Sequence, residues 1–434
     1  MMKFWLVVFA SLLTITHIMT TEGYSSIDAI GPMPTSVTRK ETEGISKSFY
    51  GVHIHRADNG TKWPEIRFGS WRLWDTYVTW PDLEPSPGVW DFAKLDKYVE
   101  LAAKAQIDVV LPLGMTPQWA SLRPNEYSAY GPGKASEPFD MNEWREYVLK
   151  VARRFKGRIK FFELWNEINL KQFYTGSFET MVKLQKITYE TLKEVDRSNK
   201  LISPSFTGNS MSEVKKFGAY LRSGGFRYAD IISYHLYTPT THPEALLPLI
   251  AAINKEIKDS GVENKPLWNT ESGYVLLRPD DKEVDEQINA RWLRLSEKES
   301  TAYLIISWIL QSQMGLERSF YYAWDNKIYG VVDGKKKNMP ETKRSIGWFI
   351  DWSIGKTPVG CHLEQILTRC SYVDAITGVQ SEIVWANHTS KVGLFKSKKG
   401  KTRDLCDGKD TEIGSNDQGR SVQVGICPIL VTYR

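Results

Sequence analysis

The sequence predicts a (β/α)8 barrel followed by a small β-sandwich-like domain, and three observations carry that expectation. Eight short apolar runs alternate with longer segments of helical period between about residues 48 and 355, the pattern of repeated βα units. No Gly-rich phosphate fingerprint follows the first run, which favours a closed barrel over an open doubly wound sheet. Past about residue 357 the helical period gives way to short alternating segments separated by Gly, Asp, Asn and Lys, as strands joined by turns would be. The expected division is residues 1–22 as an export signal or N-terminal anchor, 45–355 as the barrel, and 356–434 as the β domain.

In chain order, Met1-Met2-Lys3 gives a short cationic start, and Phe4-Trp5-Leu6-Val7-Val8-Phe9-Ala10 opens an apolar run that ends near Ile18. That reads as an export signal. The run is shorter than the ~20 apolar residues a comfortable span needs, but no clear Ala-x-Ala site follows it, so a membrane tether is the alternative. Either way the body is expected outside the cytoplasm, periplasmic or secreted. Strands are expected at 49–55, 70–74, 108–113, 159–165, 201–205, 231–237, 265–270 and 319–324, each rich in β-branched or aromatic residues. Between them, Asp91 is placed to cap a helix with the stripe Phe92, Leu95, Val99 and Ala102. Asp140 with Glu143 makes a capping-box-like start before Trp144, Tyr147, Val148 and Val151. Segments 179–195, 244–257 and 285–310 have similar character, and 381–385, 392–395 and 421–431 are the strand candidates of the β domain.

The four cysteines, Cys361, Cys370, Cys406 and Cys427, all fall in the last quarter of the chain. In an oxidising compartment they form up to two bridges, with three pairings open. Their spacing fits no zinc pattern. Sequons stand at Asn59 and Asn387, acceptors only in a eukaryotic secretory pathway.

Composition narrows the function. Over 434 residues, 41% are hydrophobic and 25% charged, which excludes a disordered chain and a polytopic membrane protein. The net charge of +5 is small, and the clusters Lys335-Lys336-Lys337 and Lys396 to Lys401 sit among Gly, Ser and Asn, so they read as solvated loops and no nucleic-acid partner is expected. Sixteen Trp and twenty Tyr suit ligands with apolar faces and polar edges, as sugars have.

Two carboxylates end two predicted strands. Phe162-Glu163-Leu164-Trp165-Asn166-Glu167 closes the fourth and Trp268-Asn269-Thr270-Glu271 the seventh. A parallel barrel delivers every strand's C-terminal end to one rim, so these distant residues are expected to converge over one pocket. Glycoside hydrolysis needs that convergence: one carboxyl group protonates the leaving oxygen while the other attacks from the opposite side. Glu167, beside Trp165, is the acid/base candidate because desolvation keeps a carboxyl group protonated. Glu271 is the nucleophile candidate, held ionised by Arg72 and Tyr237, and Asn166 is placed to donate to a sugar hydroxyl. Glu163 shares the strand parity of Glu167 and is expected to be a buried, paired charge, with Arg72 as an alternative partner. Trp119, Trp324, His53, His55 and His235 follow strand ends and are candidates to line the sugar subsite, Trp324 offering its face to the pyranose. No metal and no cofactor are expected, since the rim histidines lack metal-ligand spacing.

These residues resemble the clan of (β/α)8 glycoside hydrolases with glutamates on strands four and seven, and most resemble glycoside hydrolase family 39. Trp165-Asn166-Glu167-Ile168-Asn169 is similar to the family's acid/base segment, with Ile168 where Pro is usual. Thr270-Glu271 is similar to the nucleophile segment, Ser233-Tyr234-His235-Leu236-Tyr237 to the sixth-strand segment, and Arg72 to the second-strand arginine. Arg72-Leu73-Trp74-Asp75, Trp80-Pro81-Asp82-Leu83-Glu84-Pro85 and Gly88-Val89-Trp90-Asp91-Phe92 resemble bacterial members that cut exopolysaccharides. The likeness covers roughly 48–355 and implies retention of anomeric configuration through a covalent glycosyl-enzyme, with a C-terminal β-sandwich as a frequent companion. The resulting expectation is a retaining β-glycosidase acting on a polysaccharide or oligosaccharide. The alternatives are an exo-acting β-xylosidase-type enzyme and a non-catalytic carbohydrate-binding barrel.

Overall fold

Eight parallel strands, β1 (Tyr50–Val52), β2 (Ser70–Arg72), β3 (Asp108–Leu113), β4 (Phe161–Leu164), β5 (Lys200–Ile202), β6 (Ile232–Ser233), β7 (Leu267–Ser272) and β8 (Arg318–Tyr321), pair in the order β5-β4-β3-β2-β1-β8-β7-β6. A bridge between Ile202 and Ile231, with Ser203 N–H donating to Ile231 O at 2.9 Å, joins the two ends and closes the barrel. The computed structural model describes residues 44–262, 264–276, 292–332, 338–364, 366–387, 389–393, 400–413 and 421–433. The N-terminal run, Lys335-Lys336-Lys337 and most of the 396–401 cluster lie outside them.

Each strand forms where it was predicted; β3 ends as expected, β7 runs two residues further, to Ser272, and the other six of the eight end earlier than the composition suggests. The reason lies at the C-terminal ends, where the chain leaves the sheet to build the mouth: Asp75, Met115, Trp165 and Glu167 have φ of 60°, 62°, 57° and 43°, a region that side chains with a Cβ rarely enter. Such residues cost on the order of 1–3 kcal/mol each and persist where surrounding contacts over-determine them.

Strand alternation stacks the interior in layers. Val110, Phe161, Ile202, Ile231, Trp268 and Phe320 form one apolar cluster inside the barrel. Arg318 covers Phe161 and Trp268 at 4.4 and 4.3 Å from the ring centres. Two residues further along their strands stand Glu163, Ser233 and Thr270, with Arg72 on β2, all 0% exposed. Two further again on the sixth strand stands His235. The apolar floor therefore carries a polar layer directly beneath the rim.

Outside the barrel pack α1 (Ala93–Ala105), α2 (Met141–Arg154), α3 (Phe178–Val195), α4 (Met211–Tyr220), α5 (Leu246–Asp259), α6 (Glu297–Gln313) and α7 (Pro340–Ser353). The predicted stripes Phe92-Leu95-Val99-Ala102 and Trp144-Tyr147-Val148-Val151 are buried. Asp140 caps α2 through Asn142 N–H and not through a Glu143 box, while Asp91 accepts from Ala93 N–H at 2.9 Å just ahead of α1. Thirteen successive residues of α6, from Ser300 to Ser312, are buried, which follows from cover on two sides: the barrel on one, the C-terminal sheet on the other.

That C-terminal region holds β9 (Lys356–Glu364), β10 (Leu367–Asp374), β11 (Gln380–Ala386), β12 (Ser390–Gly393), β13 (Gly400–Asp404), β14 (Asp410–Ile413), β15 (Ser421–Val424) and β16 (Ile429–Tyr433). Six of them pair antiparallel in the order β14-β13-β16-β11-β10-β9, and β12 pairs with β15. The single predicted segment 421–431 is thus two strands. β9, β10, β13 and β14 fall where no strand was expected: β9 buries only Cys361, β13 only Gly400 and Thr402, and the described side chains of β14 are exposed, so these three lack an apolar alternation, while β10 buries Leu367, Thr368, Cys370 and Tyr372. Of the three pairings open to the cysteines, the fold has Cys361–Cys370 and Cys406–Cys427. The sheet docks on the barrel through Trp385 Nε1, which donates to Glu244 Oε1 at 2.6 Å, and through Gln313 Nε2, which donates to Ser371 O at 3.0 Å. Among the described residues no helix is long and apolar enough to cross a membrane.

Candidate active site

Glu167 and Glu271 meet. One carboxylate oxygen of each, together with a ring nitrogen of His235, lie within 4.8 Å of one another. Both glutamates keep slight exposure, 8% and 7%, at the barrel mouth. Glu167 is aimed by the turn after β4, where its N–H donates to Ser205 Oγ at 3.0 Å and Ile168 N–H donates to Ser205 O at 3.1 Å. Asn169 and Thr207 bond reciprocally, at 2.9 and 3.1 Å, and lock that turn to the exit of β5. Ile168 is buried at 3%, packing as an apolar residue where the resemblance has Pro.

Arg72 organises the opposite side. Its Nε donates to Glu163 Oε2 at 2.5 Å, Nη1 to Glu271 Oε2 at 2.9 Å and Nη2 to Asn166 Oδ1 at 2.9 Å. The two readings weighed for Arg72, partner of the buried Glu163 and holder of the nucleophile, are both realised. The guanidinium fixes the Asn166 amide so that its NH2 group is the donor face, and Tyr237 Oη donates to Glu271 Oε1 at 2.9 Å. Burial pushes the Tyr237 hydroxyl well above its ordinary value, so it stays a donor.

Burial does not divide the two carboxyls as sequence reasoning expected. Desolvation raises Glu167 to about 7, against the Thr207 hydroxyl and Arg72, which pull it down. Desolvation also raises Glu271 to about 7, against His235 and Arg72. Both sit in the same low-dielectric pocket and repel each other's charge, so the pair holds a proton near neutrality. Contacts divide them instead. Glu271 accepts from a guanidinium and a phenol, which stabilise its charge. Glu167 faces His235 Nδ1 at 2.8 Å, and burial lowers that imidazole to about 4 and keeps it neutral. These contacts favour the charge on Glu271 and the proton on Glu167.

The remaining candidates are placed differently. His53 is fully buried; its Nε2 lies 3.1 Å from Thr270 O, and its Nδ1 has no partner. His55 turns toward Asp325. Trp324 is 3% exposed within the main core, so the expected open face for a pyranose is absent: its chain ends bond to His53 O and Val332 N–H and seat it among the strands. Trp119 donates from Nε1 to Glu84 O at 3.1 Å and packs edge-on against Trp80, which leaves it half-buried beside the mouth.

Asp75 was missed. It accepts from Tyr130 Oη at 2.5 Å and Tyr322 Oη at 2.6 Å, and its charge raises both catalytic candidates. Its place directly after Trp74 at the second strand end was the available signal. Glu167, His235 and Glu271 are also one of two groups among the described residues with donors close enough for a cation. Arg72 and Tyr237 already engage the Glu271 oxygens and His235 Nδ1 lies against Glu167 Oε1, and a guanidinium beside them disfavours a second positive charge. The other group includes the bridged Cys406 and Cys427.

Residues 51–279, more than half of the chain, match the family model described as glycosyl hydrolases family 39. The chain belongs to this family. A β-xylosidase of Geobacillus stearothermophilus is 24% identical over 230 residues, which is 47% of this chain and 45% of that protein. The chain spans less than half the length of the curated relatives it matches. Among solved structures, a family 39 glycoside hydrolase from Bacteroides cellulosilyticus WH2 superposes with a TM-score of 0.68 at 16% identity, over 92% of this chain and 82% of that one. A monomeric β-xylosidase from Caulobacter crescentus CB15 does so with 0.61 at 16%, over 90% and 97%. At such identities the likeness shows the shared fold, barrel and C-terminal sheet together. Both glutamates, Arg72, Asn166 and His235 fall inside the stretch that matches family 39.

Proposed function

We propose that the chain is a retaining β-glycosidase that cleaves β-linked glycan through a covalent glycosyl-enzyme. The observation that carries this reading is the approach of Glu167 and Glu271 oxygens to within 4.8 Å. Retaining enzymes hold their carboxyls ~5–5.5 Å apart, whereas inverting enzymes leave ~6.5–9.5 Å for a water. In the first step Glu271 attacks the anomeric carbon as the Glu167 proton passes to the leaving oxygen. In the second Glu167, now ionised, takes a proton from water as that water displaces Glu271. Arg72 and Tyr237 stabilise the Glu271 charge before and after the covalent stage, and Asn166 donates to the hydroxyl beside the reacting carbon.

For the substrate we propose a polysaccharide, supported by the likeness of the 72–92 region to exopolysaccharide-cutting members. The name β-xylosidase carried by a curated relative and by a structural neighbour supports a second reading, exo-cleavage of short β-xylosides. Incubation with a panel of β-glycans and aryl β-xylosides, comparing wild type with Glu271→Ala, tests both. Release of mixed oligosaccharides by wild type alone is expected. Release of xylose alone selects the second reading, and equal turnover by the variant removes both.

We also propose that the protein works outside the cytoplasm. The N-terminal apolar run and two disulfides in one small domain support export. Fractionation of expressing cells tests this.

A further inference from the structure

Glu163 is a buried carboxylate that two-carboxyl chemistry does not use, and its contacts lead from Arg72 to the acid. Its Oε2 receives Arg72 Nε at 2.5 Å, and its Oε1 receives the Thr270 hydroxyl at 2.7 Å with Ser233 Oγ 3.1 Å away. Thr270 has a single hydroxyl hydrogen. With that hydrogen on Glu163, the Thr270 oxygen accepts from His235 Nε2, 3.1 Å distant, so Nε2 carries the imidazole hydrogen. The ring is neutral, which makes Nδ1 a bare lone pair. This lone pair faces Glu167 Oε1 at 2.8 Å. Two acceptors at that distance repel; the contact is a hydrogen bond only with a proton on Glu167.

We propose that Glu163, acting through Thr270 and His235, is a positioning residue that sets the histidine tautomer and so keeps Glu167 in its proton-donating form. The proposal deepens the glycosidase reading and rests on Glu167 being the acid. It also serves the second step: once Glu167 has given its proton away, the same lone pair opposes a bare carboxylate and strengthens its pull on a proton from water. The other charged and titratable groups that act on Glu167 are Arg72 on β2, Asp75 after it, Glu163 itself, Glu271 on β7 and the tyrosines Tyr130, Tyr234, Tyr237 and Tyr329. Arg72 favours the ionised acid and the nearby carboxylates the protonated one, while the tyrosines stay neutral.

Two measurements test the relay. In wild-type protein with 15N-labelled histidine, nitrogen spectra at neutral pH are expected to show His235 with its hydrogen on Nε2 and Nδ1 bare; the reverse tautomer overturns the proposal. In pH profiles of kcat/KM on an aryl β-glycoside, Thr270→Val is expected to move the basic limb down by about one pH unit, a loss of about tenfold above that limb, and Thr270→Ser to restore it. Glu163→Gln is expected to do the same as Thr270→Val, because its amide donates to Thr270 and reverses the chain of donors. An even loss of kcat at every pH, with the limb in place, overturns the proposal. If a variant fails to fold, the wild-type tautomer decides. If wild type cleaves no β-glycoside, the glycosidase reading fails, and the tautomer still decides the relay.

Discussion

Arg72 Nη1 stands 2.9 Å from Glu271 Oε2, while the other two nitrogens of the same guanidinium are taken by Glu163 and Asn166. A planar fork with fixed donor directions is what lets one side chain hold two carboxylates and one amide at once. The Glu271 carboxylate is therefore held in a cluster drawn from three strands, beside a cation that is itself fixed by two further partners.

Arg72→Lys is expected to fail as a conservative change, because an ammonium cannot make three divergent bonds from that position. Arg72→Met leaves two buried carboxylates without their cation, a change worth on the order of 3–5 kcal/mol. Chemical denaturation of both variants checks this, with Met lower than Lys and both below wild type. Equal midpoints for wild type and Arg72→Met would show that the cluster contributes nothing to stability.

Glu167→Gln keeps the shape of the acid and removes its proton. Turnover of a substrate with a poor leaving group is expected to fall by about 10²–10⁴-fold, and much less with a nitrophenolate that departs unaided. The basic limb of the pH profile, set by a group near 7, is expected to disappear while the acid limb remains. A variant equally slow on both leaving groups would mean that Glu167 is not the acid.

Stability should depend on pH in an unusual direction. Glu167 and Glu271 rise from 4.5 to about 7 on folding, so between those values the folded chain holds protons that the unfolded chain has released. Their contribution is complete below 4.5 and is lost as pH climbs through 7, by roughly 3 kcal/mol for one such group. His235 acts oppositely. Lowered from 6.5 to about 4, it contributes above 6.5 and loses that contribution as pH falls through 4. Melting wild type and Glu167→Gln between about pH 5 and pH 8 separates the two effects: the variant is expected to lose less stability on the way up. Parallel curves would contradict the assignment.

How much of this was legible beforehand follows from what a sequence can carry. Glu167, Glu271, Asn166, Arg72 and Tyr237 were readable because each ends or follows a strand, and a parallel barrel sends all strand ends to one rim. Thr270 and Ser233 were not, since a hydroxyl has no pattern of its own and their partner Glu163 lies 107 and 70 residues away. The burial of Trp324 was hidden for a similar reason: an aromatic at a strand end packs inward or faces the pocket according to neighbours from other strands. The shared rise of both glutamates depends on enclosure by the whole mouth, which no local segment encodes. In the C-terminal sheet, β11 and β16 were read from their runs of buried apolar residues, β9, β13 and β14 bury few apolar side chains and were not, and β10 was missed although it is largely buried inside the sheet.

The disulfide Cys406–Cys427 closes a separation of 21 residues and is expected to stabilise the C-terminal sheet by roughly 3 kcal/mol, chiefly by restricting the unfolded chain. Cys406→Ser with Cys427→Ser should lower the melting temperature and leave barrel-mouth chemistry intact. Unchanged melting under reducing conditions would show that the bridge adds nothing.

The central claim is that Glu271 attacks the sugar, and a mechanism-based label tests it most directly. Wild-type protein is incubated with a panel of 2-deoxy-2-fluoro β-glycosides carrying a good leaving group, digested, and its peptides weighed. One fluorosugar per chain on the peptide containing Glu271, absent from Glu271→Ala, is the predicted result. Turnover of the parent glycosides with the label on another carboxylate, or with no covalent adduct from any member of the panel, would contradict it.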